Sequence, residues 1–276
     1  AASPLFLATT AGAAGDFSIA RSLRFNPGDS AYLSKTFASA GTRTTWTWSA
    51  WIKRSKTGFN CLFQGGNTSY NNDALVFNGD DKLQISFHNG SNGVAADFKT
   101  TQVFRDISAW YHIVLVSDTT NSASSDRLRL YVNGARVVDF DTNNQPGLNV
   151  VSHDINDAAP HFIGSFTGSG DWFNGYLAEI NFVDGSALDP TSFGAFDDNG
   201  VWQATDTAGL SFGTNGFRLK FADNSSNAAL GTDSSGNSNT WTVNNLTTAA
   251  ALNPTAQQNF NVVTWTGNSS SRDIAT

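Results

Sequence analysis

Glutamate appears once in this 276-residue chain, as Glu179, cysteine once, as Cys61, and methionine nowhere. The first two scarcities each exclude a class of chemistry or support. A retaining glycosidase sets two carboxylates about 5 Å apart. With one Glu, flanked by Ala178, Ile180 and Asn181, no E-x-D-x-x-E strand is available, and Glu179 is read as a strand residue bonded to a neighbouring loop. A single cysteine excludes an internal disulfide, so stability cannot rest on a covalent staple. The C-L-F setting of Cys61 between two turn regions reads as a buried residue. Charged residues make up 14% of the chain, well below the roughly 25% of an average soluble domain, which leaves a surface of Ser, Thr, Asn and Gly. The net charge is −7 and no Lys/Arg block occurs, so nothing is at hand to neutralise nucleic-acid phosphates. No apolar run reaches the roughly 18 residues of a membrane-crossing helix, so membrane insertion is not expected. There is no G-x-S-x-G nucleophile motif, and the four His have no flagged partners. His112 falls in strand alternation as a satisfied core or interface histidine; His153 and His161, without Cys, do not make a zinc spacing. No basic residue precedes Arg21, so the opening stretch is not expected to act as a secretory signal.

What the chain does have is aromatic bulk, eight Trp and twenty-one Phe, arranged with period two. From Trp110 the sequence reads A-W-Y-H-I-V-L-V-S-D, a polar loop, then R-L-R-L-Y-V-N-G-A-R-V-V-D-F. Leu128, Leu130 and Val132 alternate with Arg127, Arg129 and Tyr131, and Asn133-Gly134 supplies the pair that tolerates positive φ in a type I′ turn. The preceding strand carries apolar residues on both faces, which places it centrally in a sandwich. In T-W-T-W-S-A-W-I-K-R, the set Trp46, Trp48, Ala50 and Ile52 is expected to face the core, joined by Leu128, Leu130, Val132 and either Leu177 or its register alternative Ile180. Further short strands follow at sandwich spacing, with Gly79-Asp80-Asp81 and Asn89-Gly90 as turns. Asp189-Pro190-Thr191-Ser192 has an acid at the cap and proline at the first helical position, which predicts one short helical turn.

A tryptophan-led strand, a polar loop and a strand ending in Y-V-N-G resemble the laminin-G-like jelly rolls of the concanavalin-A-like superfamily, and Gly175 to Phe182 is similar to their last strand, with Ala178 where the family often has Asp. The resemblance covers residues 22–190 and implies an all-β antiparallel β-sandwich, a jelly roll. Residues 1–21 then read as an N-terminal arm, and 191–276 as a C-terminal β extension or the start of a further module. Several pieces, among them S-P-L-F-L-A-T-T-A-G, T-W-T-W-S-A-W-I-K-R, L-K-F-A-D-N-S-S-N-A-A-L-G-T-D-S-S-G-N and V-V-T-W-T-G-N, also look like stretches of proteins encoded by marine bacteriophages, especially cyanophages. That resemblance implies a virion component made in the host cytoplasm.

The ligand expectations follow. Laminin-G-like domains often hold calcium through Asp and carbonyl oxygens at a loop rim, so Asp80, Asp81 and Asp233 are the candidate ligands for a structural calcium; no other cofactor is expected. Asp, Asn and Gly are equally what turns use. Trp172 in the glycine-rich G-S-G-D-W-F-N-G loop, with Asp171 and Asn174, is the candidate carbohydrate contact. Leu5, Phe6 and Leu7 are the apolar residues by which the arm would anchor to a partner. The expected partners are other virion proteins, further copies of the chain, as in the trimers that fibres usually form, and a host surface polysaccharide. The expected function is non-enzymatic: a tail fibre or receptor-binding component, favoured by an ending that looks modular. The alternative is a capsid decoration or head-fibre protein, favoured by short length and the absence of coiled-coil heptads. A third reading is a secreted lectin or glycan-processing enzyme of the same fold.

Overall fold

The computed structural model describes residues 17–66, 72–90 and 93–248 together with the backbone of Phe260–Asn261. Leu5, Phe6 and Leu7 lie outside the described residues. The chain forms β1 (Ser22–Phe25), β2 (Tyr32–Thr36), β3 (Thr45–Arg54), β4 (Asn60–Gly65), β5 (Asp73–Phe77) and β6 (Lys82–His88). Then come β7 (Val94–Val103), β8 (Tyr111–Asp118), β9 (Leu128–Val132), β10 (Ala135–Arg136), β11 (Phe140–Asn144), β12 (Pro160–Ile163) and β13 (Gly175–Asp184). Past the 3-10 turn Pro190–Ser192 lie β14 (Gly194–Phe196), β15 (Trp202–Ala204), β16 (Phe217–Leu219), β17 (Thr242–Asn244) and β18 (Phe260–Asn261). Sheet A runs β10-β9-β8-β3-β13-β1-β18, with β16 also on β13; sheet B runs β11-β7-β6-β5-β4-β12-β2-β17. The all-β antiparallel sandwich is the one the alternation predicts. Among the described residues no helix is long and apolar enough to cross a membrane.

Period-two patterning places the core. Trp46, Trp48, Ala50 and Ile52 are fully buried between the sheets with Leu128, Leu130 and Val132, and Trp48 stacks on Phe63 of the opposite sheet at 6.0 Å. β8 lies inside sheet A between β3 and β9, which is why both its faces are apolar. Asn133 (φ 48°) and Gly134 (φ 79°) make the type I′ turn, and a Cβ at Gly134 would collide with the Trp202 ring.

One register expectation is resolved in both directions at once. The pairing of β13 with β3 shifts between Ala178 and Asn181, so Leu177 and Ile180, three apart, both point into the core. Glu179 sits at the shift with φ 44°, a left-handed conformation unusual for a side chain this long. The bulge separates two partners on one edge of β13: β1 pairs before it and β16 after it.

The chain beyond Pro190 is woven into both sheets, since β16 and β18 extend sheet A and β17 extends sheet B. The end of the predicted arm is likewise packed. Ile19 is buried against Trp51, Ala178, Trp202 and Ala204, with Phe17 beside it.

Candidate functional site

The loop between β12 and β13 carries the chain from sheet B to sheet A, and its own backbone holds it in place. Phe166 N donates to Gly170 O (2.9 Å), Thr167 N to Gln64 Oε1 (2.6 Å), Cys61 N to Asp171 O (3.3 Å) and Asn174 N to Asn60 Oδ1 (3.0 Å). Phe166 covers Cys61, Ala74 and Val76 on the outer face of sheet B, a small apolar patch that anchors the loop. Gly168 (φ 70°) and Asp171 (φ 49°) take left-handed conformations, which fold the loop back on itself.

The result is a strip of aromatic rings on the outer face of sheet B. Trp172, half-buried, stacks on Tyr32 of β2 with ring centroids 5.7 Å apart and planes at 27°. Tyr32 meets Phe162 of β12 at 6.2 Å. Strand register brings polar groups beside them: Asn244 is the cross-strand partner of Tyr32, and Ser34 lies between Phe162 and Thr242. Asn244 Nδ2 donates to Ser34 Oγ (3.0 Å), leaving the amide oxygen outside that bond.

Of the three residues that the sequence nominates, Trp172 lies on this strip and Asp171 is exposed at its rim. Asn174 is turned toward sheet A, where its Oδ1 accepts from Arg24 Nη2 (2.6 Å). Tyr32, Phe162 and Asn244 were not legible, because each is an ordinary alternating strand residue until pairing sets it beside the loop.

The titratable groups inside the fold are locked. Glu179 Oε2 accepts from Arg218 Nε (2.9 Å), and Arg218 Nη1 reaches Asp206 Oδ1 (2.8 Å), so the partner is on β16 rather than in a loop. Burial raises the Glu179 carboxyl above its ordinary value against the opposing pull of Arg218. His112 is stacked on Trp51 at 4.9 Å and lies 6.0 Å from Trp202. Trp202 Nε1 donates to His112 Nδ1 (2.9 Å), which assigns the ring proton to Nε2, bonded to Ser49 Oγ (2.8 Å). Burial lowers the His112 pKa to about 3, and that of His161 to about 4, so both rings are neutral at physiological pH. Cys61 is fully buried and burial pushes its thiol far up, the inert state expected of a core cysteine.

The candidate calcium ligands are engaged by donors of the chain itself. Asp81 accepts from Gly58 N (2.6 Å), Arg54 Nη2 (2.9 Å) and Arg105 Nε (3.2 Å). Burial raises its carboxyl, but these donors outweigh burial and hold it below the usual range. Asp233 accepts from Arg218 N, Ser235 N, Ser235 Oγ and Asn239 N at 2.8 to 2.9 Å. Asp80 is exposed, its N–H donating to Asn78 Oδ1 (2.9 Å). Among the described residues no group of three or more His, Cys, Asp or Glu is placed to hold a metal ion.

An open groove of about 540 Å³ runs along the β9 to β10 edge, lined by Thr101, Gln102, Asn133, Arg136 and Val138 among others. It has no aromatic lining residue, whereas sugar recognition calls for an apolar ring face with a few convergent polar groups. The Tyr32–Trp172 strip has both.

A family model described as the concanavalin A-like lectin/glucanases superfamily, Laminin_G_3, matches residues 27–192, more than half of the chain. No curated protein matches. Among solved structures, a putative carbohydrate binding protein from Bacteroides ovatus is 17% identical with a TM-score of 0.53, over 83% of this chain and 59% of that one. Domains LG4-5 of the mouse laminin alpha1 chain are 16% identical with a TM-score of 0.45, over 71% of this chain and 48% of theirs. A SAP-like pentraxin from Limulus polyphemus is 17% identical with a TM-score of 0.43, over 61% and 77%. This chain thus spans less than two thirds of the Bacteroides and laminin chains, and identities this low speak to fold alone.

Proposed function

This chain belongs to the concanavalin A-like lectin/glucanases superfamily, and from that premise we propose that it is a non-catalytic adhesion protein that binds glycan on the Tyr32–Trp172 strip. The observation that carries the reading is the half-buried Trp172 ring stacked 5.7 Å from Tyr32, held by a pinned loop beside Asn244 and Ser34. Such rings exclude water from the apolar CH face of a pyranose while amides and hydroxyls meet its hydroxyls. The geometry supports binding without catalysis: the one glutamate is paired with a buried arginine, and His112 and His161 are buried and neutral. A general acid and base must reach the scissile bond, and these groups do not face the strip.

The likeness to marine bacteriophage proteins supports a place on the virion, with the strip touching a host surface polysaccharide as part of a tail fibre or receptor-binding component. The absence of any helix longer than a 3-10 turn among the described residues, hence of a coiled-coil stalk there, favours the capsid decoration reading as the second. The test is binding of the full chain to a panel of soluble neutral glycans, compared with Trp172→Ala, together with immuno-imaging of purified particles. Loss of glycan binding in the folded variant supports the reading. Binding equal to that of the parent overturns it, as does failure of the parent to bind any glycan, neutral or acidic. A location on the capsid rather than the tail selects decoration.

A further inference from the structure

The outer face of sheet A presents a second aromatic surface, at the margin of the region covered by Trp202 and Ile19. Arg24 of β1 is the cross-strand partner of Tyr176 of β13, which is in turn the partner of Lys53 of β3. The pairing of Ile52 with Tyr111 places Trp110 next along the same row. The row therefore alternates cation, ring, cation, ring across the sheet, and all four side chains are half-buried. The Arg24 guanidinium lies 5.3 Å from the Tyr176 ring centre, and Tyr176 and Trp110 have centroids 6.5 Å apart.

Arg24 has a structural task, since its Nη2 donates to Asn174 Oδ1 (2.6 Å) and its Nη1 to Gly175 O (3.3 Å), but Lys53 has none of this kind. Neither makes an ion pair within 4.0 Å among the described residues. The acids that interact with them electrostatically are engaged elsewhere: Asp106 accepts from Ser108 N and Oγ, and Asp29 from Asn26 Nδ2. In a chain of net charge −7, two unpaired cations are held on one row, two strand spacings or about 10 Å apart, with a ring between them.

We propose that this row is a subsite for acidic polysaccharide. Tyr176 and Trp110 take the CH faces of the sugar, Lys53 a carboxylate or sulfate as a point charge, and Arg24, held by Asn174 and Gly175, adds its positive charge to the row. The inference rests on the glycan reading above and adds the charge class of the sugar.

The experiment measures binding of the full chain to three soluble polymers at low and high salt: polygalacturonate, which is carboxylated, dextran sulfate, and neutral dextran. At least one acidic polymer should bind roughly tenfold or more tighter than dextran, the scale of a hydrogen bond to a charged group. That preference should shrink as salt rises. Lys53→Gln should weaken it severalfold with an unchanged melting temperature, and Lys53→Gln with Arg24→Gln should remove it. Preference for one acidic polymer over the other identifies the anionic group and supports the subsite. Equal binding of acidic and neutral polymers, or a preference that survives both substitutions, overturns it. Failure on all three polymers while the neutral panel still binds overturns this inference alone; failure on polymers and panel overturns the glycan reading with it.

Discussion

Sheet A and sheet B turn different chemistry outward, and the chain treats the two faces accordingly. Sheet A points Val114, Val116, Tyr131 and Val183 away from the core, and Phe193 and Phe212 from the segment after β13 cover them. Trp51 and Ala178 are covered by Trp202, Ala204 and Ile19 in the same way. Sheet B instead points Lys82, Gln84, Ser86 and Asp97 outward, half-buried, where Gln84 Nε2 and Ser86 Oγ donate to Asp97 Oδ1 at 3.1 and 3.0 Å and Lys82 pairs with Asp141. An apolar face left in water forfeits about 25 cal/mol for each Å², so it recruits a cover from its own chain. A polar face satisfies itself and stays open, whereas the small apolar patch of Cys61, Ala74 and Val76 on sheet B recruits Phe166 as its cover. The difference teaches where ligand contact is available: on sheet B, and on sheet A only at the margin of its cover.

This contrast can be broken at several points, and the largest effect is expected between the sheets. Trp48→Ala removes a fully buried ring and should cost about 3 to 5 kcal/mol in denaturant unfolding; a loss below about 1 kcal/mol would show that the ring's burial contributes little. Next comes the cover. Trp202→Ala should cost about 3 kcal/mol, since it removes a ring that is 7% exposed and leaves His112 Nδ1 without its donor. It should also open the β14–β15 hairpin to proteolysis and raise binding of a hydrophobic dye. A variant as resistant as the parent would mean that the cover does not depend on this ring.

Acid should loosen both sheets, through His112 under the Trp202 cover of sheet A and His161 on β12 of sheet B. His112 and His161 have folded pKa values lowered to about 3 and about 4, against roughly 6.5 when unfolded. Between these limits the unfolded chain binds more protons, so stability falls as pH drops from about 6.5 toward 4, by up to about 1.4 kcal/mol per pH unit for each ring. Urea midpoints measured at pH 7, 6, 5 and 4 check this, and a flat profile down to pH 5 would contradict the neutral, buried assignment. The smallest change in stability is expected on the open face. Trp172→Ala should move the unfolding free energy by about 1 kcal/mol or less, because the ring is only half-buried and its loop is pinned by backbone bonds. A much larger loss would recast Trp172 as structural and weaken the glycan reading.

Much of the sandwich was legible because it is written in neighbours. Alternation in Trp46 to Ile52 and Leu128 to Val132, the Asn133-Gly134 turn and the proline-led turn at Pro190 depend on residues a few positions apart. The bulge at Glu179 was half legible, as an ambiguity between Leu177 and Ile180 that one added residue makes true of both. The candidate site was legible only in its loop member, since Trp172 stands out among glycines, whereas Tyr32 and Asn244 carry no local mark.

The sequence by itself determined the period, the turns and the residues available to the core, because strand formation follows from side chains that alternate along a short stretch of backbone. Only the tertiary structure decided which outer face is closed and which is open, that Glu179 meets Arg218, and that Tyr32 lies under Trp172. Those facts depend on which distant strands pair and in what register, and pairing is chosen by burial summed over the whole fold rather than by any stretch of sequence.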